Sequence, residues 1–183
     1  VCLIWQDANK LPFDDDTFDW VWSVDCVGYP TGSQSELEEL ARVVKPGGSV
    51  AILGWTSQQL LPGRPQLEAR LNAVASEMAP YYVGKRPDLY FQRALGWFRD
   101  LGLVDATAHT FAGSAHAPLS DDARGALLSL FDMLWDWAQS GMAEADRAEY
   151  QRLCKPESPD FILNLADYYA FFTYSMFRGV VAG

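Results

Sequence analysis

The sequence predicts an α/β protein built on a strand, helix, strand unit whose two strands run parallel. Three observations predict it. Phe18 to Val24 is a run of aromatic and β-branched residues, the composition of a strand. From Ser35 the apolar residues Leu37, Leu40, Ala41 and Val44 recur at helical spacing, and Lys45-Pro46-Gly47-Gly48 ends that helix in a turn. Ser49 to Trp55 then reads as a strand again. Strands separated by a helix with short connections pair in parallel, because the helix carries the chain back across one face of the sheet.

The remaining elements follow in order. Val1 to Trp5 reads as a short buried strand that leads into a turn. The chain opens inside that apolar segment without an initiator Met, the pattern expected of a truncated domain. Beyond Trp55 the pattern becomes helical: Leu67, Leu71, Val74 and Met78 share one face, as do Phe91, Ala94, Leu95 and Phe98, with Gly102 closing the second helix. Leu103 to Phe111 reads as a strand. Ser120-Asp121-Asp122 starts a helix carrying Leu127, Leu130, Phe131, Leu134 and Trp137, and Asp146 to Cys154 forms another. Ser158-Pro159-Asp160 caps a short helical turn. Tyr168 to Phe177 concentrates aromatics, which favours a buried strand and leaves an apolar helix as the alternative.

Composition narrows the function classes. With 183 residues, 49% apolar and 21% charged, the chain suffices for one domain with a substantial core. Its 14 Lys and Arg against 24 Asp and Glu leave a net charge of −10, a field that repels phosphate backbones and argues against nucleic acid as a partner. Three cysteines, Cys2, Cys26 and Cys154, form neither a C-x-x-C pair nor a disulfide framework, which fits a reducing cytoplasm. No run reaches the length of a membrane span, and Val1 is not followed by a signal-peptide pattern.

Asp7-Ala8-x-x-Leu11-Pro12-Phe13, then Asp16-x-Phe18-Asp19, then Lys45-Pro46-Gly47-Gly48, taken together and in this order, resemble the class I S-adenosylmethionine-dependent methyltransferases of the ubiquinone and menaquinone biosynthesis type (methyltransferase type 11). The resemblance runs over about Val1 to Trp55. It implies the carboxy-terminal part of a Rossmann-like methyltransferase sheet, with parallel strands ending in an antiparallel pair and with helical insertions. Leu103 to Phe111 and Tyr168 to Phe177 would be that last pair. On this reading the chain is a single truncated domain. Residues 1–55 are its cofactor side, 56–102 and 117–167 its helical insertions and lid, and 103–111 and 168–177 its terminal strands.

The resemblance also implies a site for S-adenosylmethionine. In such enzymes the turn after the third strand holds the adenine: an acidic side chain accepts from the exocyclic amine, the next amide reads a ring nitrogen, and an apolar residue packs on the ring. Asp7, Ala8 and Leu11 stand at those positions, the alternative for Asp7 being a turn cap. Ser23, Val24 and Asp25, at the carboxyl end of the next strand, would lie beside the methionine portion and the methyl. Tyr29 would flank the methyl or its acceptor. The family's glycine-rich loop and its ribose-binding acid both belong before Val1, so weak donor binding and no turnover are expected of these residues alone.

Methyl transfer is an in-line displacement from a sulfonium that needs positioning and dryness, and no metal or protein nucleophile. The loop after Val24 lacks the Pro-Pro-Tyr of enzymes that methylate base or amide nitrogen, so a small, aromatic or apolar acceptor is expected. Trp55, Tyr81, Tyr82, Trp135, Trp137, Tyr168 and Tyr169 are candidates to line its pocket, the alternative for each being an ordinary core position. His109 and His116 are the candidate general bases, or else plain strand and loop histidines. Two other classes remain open: a nicotinamide-dependent enzyme, which would need its own glycine fingerprint, and a noncatalytic binding or assembly module on a degenerate methyltransferase fold. Finally, with its neighbours absent, the strand Phe18 to Val24 would be an open edge bearing Trp20 and Trp22. A second copy of the chain is the expected cover.

Overall fold

In the computed structural model residues 6–27, 35–79 and 86–183 are described. The expectations at Val1 to Trp5, Tyr29, Tyr81 and Tyr82 lie outside them. The described strands are β1 (Phe18–Val24), β2 (Val44–Gln59), β3 (Val104–His116) and β4 (Tyr169–Val180), in one sheet of order β1-β2-β4-β3. The helices are α1 (Ser35–Arg42), α2 (Pro65–Met78), α3 (Ala94–Asp100), α4 (Asp121–Trp135) and α5 (Glu144–Cys154), with short 3-10 turns between them.

The crossover unit is present as expected: β1 and β2 are parallel neighbours, with Trp20 opposite Ser49 and Val24 opposite Leu53. Its boundaries differ from the sequence reading. The helix stops at Arg42, and Val44 is the first residue of a strand instead of the last of the helix. Thr17 and Phe18 both donate their amides to Val43 O at 2.9 Å, which pulls the chain into the ladder directly after the helix. Lys45-Pro46-Gly47-Gly48 is therefore a bulge inside β2. The register moves from Phe18 opposite Val44 to Trp20 opposite Ser49, so β2 spends five residues where β1 spends two. Gly47 takes φ +80°, and a Cβ on Gly48 would stand 2.8 Å from Asp19 O and 2.9 Å from Lys45 O.

The tract from Tyr169 is a strand, so the helical alternative is excluded. Gly47 N donates to Val181 O and Thr56 Oγ1 to Thr173 O, so numbers rise on β2 as they fall on β4. Thr110 Oγ1 meets Ser175 Oγ and Ala117 N donates to Tyr168 O, which gives β4 and β3 the same opposed sense. Both pairs are thus antiparallel. Among the described strands β1 forms one edge, with Trp20 48%, Trp22 66% and Val24 51% exposed.

The chain divides into two compact units. The first comprises Val1–Thr56, Gly84–Phe111 and Thr173–Gly183. Its core joins Leu37 and Leu40 of α1, Val50 and Ile52 of β2, Phe98 of α3 and Phe177 of β4. α3 buries Ala94, Trp97 and Phe98 and leaves Leu95 exposed, a correction to the expected face. It ends as foreseen at Gly102, where Leu103 N donates to Phe98 O and Gly102 N to Arg99 O, closing the last turn.

The second unit comprises Ser57–Val83 and Ala112–Phe172. α4 starts at Ser120, whose hydroxyl accepts from Ala123 N, and buries Leu127, Phe131 and Trp135 at every fourth residue against Leu67 and Leu71 of α2. Trp137 is not on that face. The α-helix gives way to a 3-10 turn at Asp136, the phase shifts, and the Trp137 indole stays 44% exposed. Glu68 is buried in α2, its carboxylate accepting from Leu60 N and Leu61 N. Cys26 and Cys154 are free thiols. No helix among the described residues is long and apolar enough to cross a membrane.

Candidate functional site

The first unit holds two features, of which the second lies at the carboxyl end of β1, where open parallel sheets bind ligands. One is the turn from Asp7 to Asp16, which precedes β1. Asp7 Oδ1 accepts from both Asn9 N and Asn9 Nδ2 at 2.9 Å, and these bonds hold its carboxyl below the usual carboxylate range. Asp7 is exposed, its second oxygen lies outside those bonds, and Ala8 N–H has no acceptor among the described residues. Leu11 is half-buried against the core of the unit. Asp7 thus caps its own turn with one oxygen and leaves the other without a partner among the described residues, so the two sequence alternatives are compatible in one residue.

α1 holds this turn from its polar face. Glu39 Oε2 accepts from Leu11 N at 2.9 Å. The Arg42 guanidinium reaches Glu39 through Nε and Nη2, Phe13 O and Asp15 Oδ1 through Nη1, and Leu11 O through Nη2. Ser35 Oγ donates to Asn9 Oδ1. Arg42, with Leu11 N–H second, draws the Glu39 carboxyl down to about 2. Ser35, Glu39 and Arg42 are spaced four and three apart, so they share one helical face while Leu37 and Leu40 fill the core from another.

The second feature is a corner at the end of β1. Asp25 has φ 50°, in the left-handed region that Asp tolerates better than most residues, and its amide donates to Leu53 O at 2.9 Å. Its carboxylate is occupied on both oxygens: Trp55 N donates to Oδ1 at 3.0 Å and Tyr174 OH to Oδ2 at 2.8 Å. The Trp55 and Tyr174 rings meet edge to face at 5.4 Å. Burial, then the bond to Asp25, pushes the Tyr174 phenol up to about 12, so it stays a donor at neutral pH and cannot serve as a base there. Beside it Thr56 Oγ1 lies 3.0 Å from both Thr173 Oγ1 and Ser175 Oγ, and Thr110 Oγ1 is 2.9 Å from Ser175 Oγ, so hydroxyls brace β2, β4 and β3.

The structure therefore brings Ser23, Val24, Asp25 and Trp55 together. Val24 is exposed, Ser23 is half-buried opposite Ile52, and the half-buried Cys26 follows the corner. Other candidates are placed elsewhere. Tyr168 and Trp135 are fully buried in the second unit, donating to Leu60 O and Asn72 Oδ1, and are core residues. Tyr169 and Trp137 are exposed in that unit. His109 is exposed on β3, the strand at the opposite edge from β1, with its ring against Phe111, and His116 bonds Ala117 O. Sequence reasoning missed Tyr174, Glu39 and Arg42. An acid and a base three apart on a helix could have flagged the last two; nothing local flags Tyr174, whose partner is 149 residues away. Among the described residues no group of three or more His, Cys, Asp or Glu could hold a metal ion.

Comparison with known proteins finds partial likenesses to methyltransferases. Residues 2–52 match the family model described as a methyltransferase domain. The chain is 45% identical over 69 residues to a demethylmenaquinone methyltransferase of Lysinibacillus sphaericus, covering 36% of this chain and 27% of that protein. It is 33% identical over 78 residues to a probable chloroplastic tocopherol O-methyltransferase of Oryza sativa, covering 42% and 22%. The chain thus spans less than a third of the length of these curated relatives. A solved structure described as a putative type II methyltransferase from Anaeromyxobacter dehalogenans aligns with a TM-score of 0.52 at 12% identity, covering 97% of this chain and 70% of that one, a likeness of fold.

Proposed function

We propose that the chain, whose residues 2–52 match a methyltransferase-domain model, carries the adenine side and the acceptor side of a class I S-adenosylmethionine-dependent methyltransferase site for a small molecule. The observation that carries this reading is the pair of groups on the turn that have no partner among the described residues, the second Asp7 oxygen and the Ala8 N–H, next to the apolar Leu11. They match the acceptor, the donor and the apolar face that adenine requires. S-adenosylmethionine is the cofactor of this family, and when bound it supplies a methyl group activated on a sulfonium.

In this reading Asp7 accepts from the adenine amine, Ala8 N–H donates to a ring nitrogen, and Leu11 covers the ring. Ser23, Val24 and Asp25 border the methionine portion. Asp25 acts through its backbone, since Trp55 and Tyr174 occupy its carboxylate. The Trp55 and Tyr174 rings offer apolar walls to an aromatic or apolar acceptor and exclude water from it. No base is required of the corner when the acceptor is already nucleophilic. No glycine-rich loop follows a strand among the described residues, and weak donor binding without turnover is the expectation for these residues alone.

Calorimetry with S-adenosylhomocysteine and with NAD tests the proposal. Weak binding of the first and none of the second is expected. Binding of NAD instead would refute it, and a micromolar dissociation constant for S-adenosylhomocysteine would refute the claim of weakness alone.

A further inference from the structure

We propose that Glu39 and Arg42 are positioning residues for the donor's adenine: from α1 they hold the Asp7 to Asp16 turn in the shape in which it selects that base. The inference rests on the adenine reading of Asp7, Ala8 and Leu11 given above.

A turn of this composition has no shape of its own. It contains Asp14, Asp15 and Asp16 in a row, and apart from the Asp7 capping bonds its internal ties are few: Lys10 N to Asp7 O, Gln6 Nε2 to Lys10 O and Thr17 Oγ1 to Asp14 O. Its order comes from outside. All five guanidinium N–H groups of Arg42 have acceptors: Glu39 Oε1 at 2.8 Å, Phe13 O at 2.9 Å, Asp15 Oδ1 at 2.7 Å, Leu11 O at 3.3 Å and Glu39 Oε2 at 2.8 Å. Glu39 Oε2 also takes the Leu11 amide, so both backbone polar groups of Leu11 are fixed by this pair. Leu11 is the residue assigned to the adenine face. At the other end Ser35 orients Asn9, and Asn9 N and Nδ2 orient the Asp7 carboxylate. One helical face thus aims both the acceptor and the apolar wall of the base pocket.

The arrangement is stricter than a surface ion pair. Lysine offers a point charge and cannot span a carboxylate and two carbonyls on different residues, so the fork geometry of arginine is needed. The Arg42 side chain is 32% exposed and that of Glu39 19%, which limits screening by solvent. A residue that only stabilised the fold would, when replaced, weaken every ligand equally. A residue that aims the base-reading groups alters discrimination between bases.

The test is the ratio of affinities for S-adenosylhomocysteine and S-inosylhomocysteine, in which an oxygen replaces the exocyclic amine. Ligand-observed NMR on the 183-residue chain reads it at millimolar affinity. A hydrogen bond between the amine and the Asp7 carboxylate gives the wild type a preference of about tenfold or more for the adenosyl compound. Arg42→Met, Arg42→Lys and Glu39→Gln are each expected to reduce that preference below about threefold while near-ultraviolet circular dichroism stays native. If Arg42→Met does not fold, Glu39→Gln, which keeps an acceptor for Leu11 N, decides. A preference retained in the folded variants but lost in Asp7→Ala overturns this inference and leaves the adenine reading standing. A wild type without preference overturns both.

Discussion

Replacing Glu68 by alanine removes the acceptor of two buried amides. Glu68 is 3% exposed, and Leu60 and Leu61, whose N–H groups it receives at 2.9 to 3.0 Å, are 0% and 2% exposed. Each orphaned buried donor costs about 1–3 kcal/mol. Removal of a desolvated carboxyl returns part of that, leaving a net loss of about 2–4 kcal/mol. For a chain of this size the loss lowers the melting temperature by roughly 5–15 °C. Glu68→Gln keeps one acceptor oxygen and loses about half as much. Hydrogen exchange in α2 and α4 during urea unfolding reads the second unit by itself.

The pH dependence gives a second readout of the same carboxyl. Burial raises its pKa against the opposing pull of the Leu61 and Leu60 amides. A carboxyl raised in the folded state adds stability below the ordinary glutamate range and loses it as pH climbs through the raised value. Wild type therefore loses stability relative to Glu68→Gln as pH rises from about 4.5 through the raised folded-state value. An alanine variant that melts within 1 °C of wild type would refute the accounting of the two amides.

Three further outcomes follow from the first unit. Asp7→Ala weakens S-adenosylhomocysteine binding roughly tenfold by calorimetry if the proposed bond to the adenine amine is made, such a bond being charge-assisted, and unchanged affinity would reduce Asp7 to a turn cap. Gly48→Ala destabilises the β1–β2 bulge by about 1–3 kcal/mol because its Cβ meets two backbone carbonyls. Gly47→Ala, which meets nothing but has φ +80°, costs about 1 kcal/mol, and thermal melts that reverse this order would contradict the bulge geometry. Tyr174, raised to about 12, contributes stability below pH about 10 that disappears as pH rises through 12. Absorbance titration at alkaline pH should therefore show a late-ionising tyrosine that Tyr174→Phe removes, and a titration unchanged by that substitution would break the Asp25 assignment.

The crossover unit was legible in the sequence because its signals are local. Aromatic and β-branched residues in Phe18–Val24, helical spacing at Leu37 and Leu40, and a Ser120 cap each act within a few residues, so β1, the start of α1 and the start of α4 stood where expected. The motif residues Asp7, Ala8 and Leu11 were singled out by resemblance alone, and their role remains the proposal made above. What needed the tertiary structure were the features set by partners distant in the chain. The end of α1 is decided by Thr17 and Phe18 taking Val43 O, which no helix signal contains. Tyr168 is core and Tyr174 belongs to the Asp25 corner, although both lie in one aromatic tract, because strand pairing and burial sort them. Glu39 and Arg42 went unread in the sequence, where they are only an acid and a base three apart. Only the return of the Asp7 to Asp16 turn against α1 gives their five-donor fork something to hold, since a hydrogen bond needs both partners in place and local pattern specifies one.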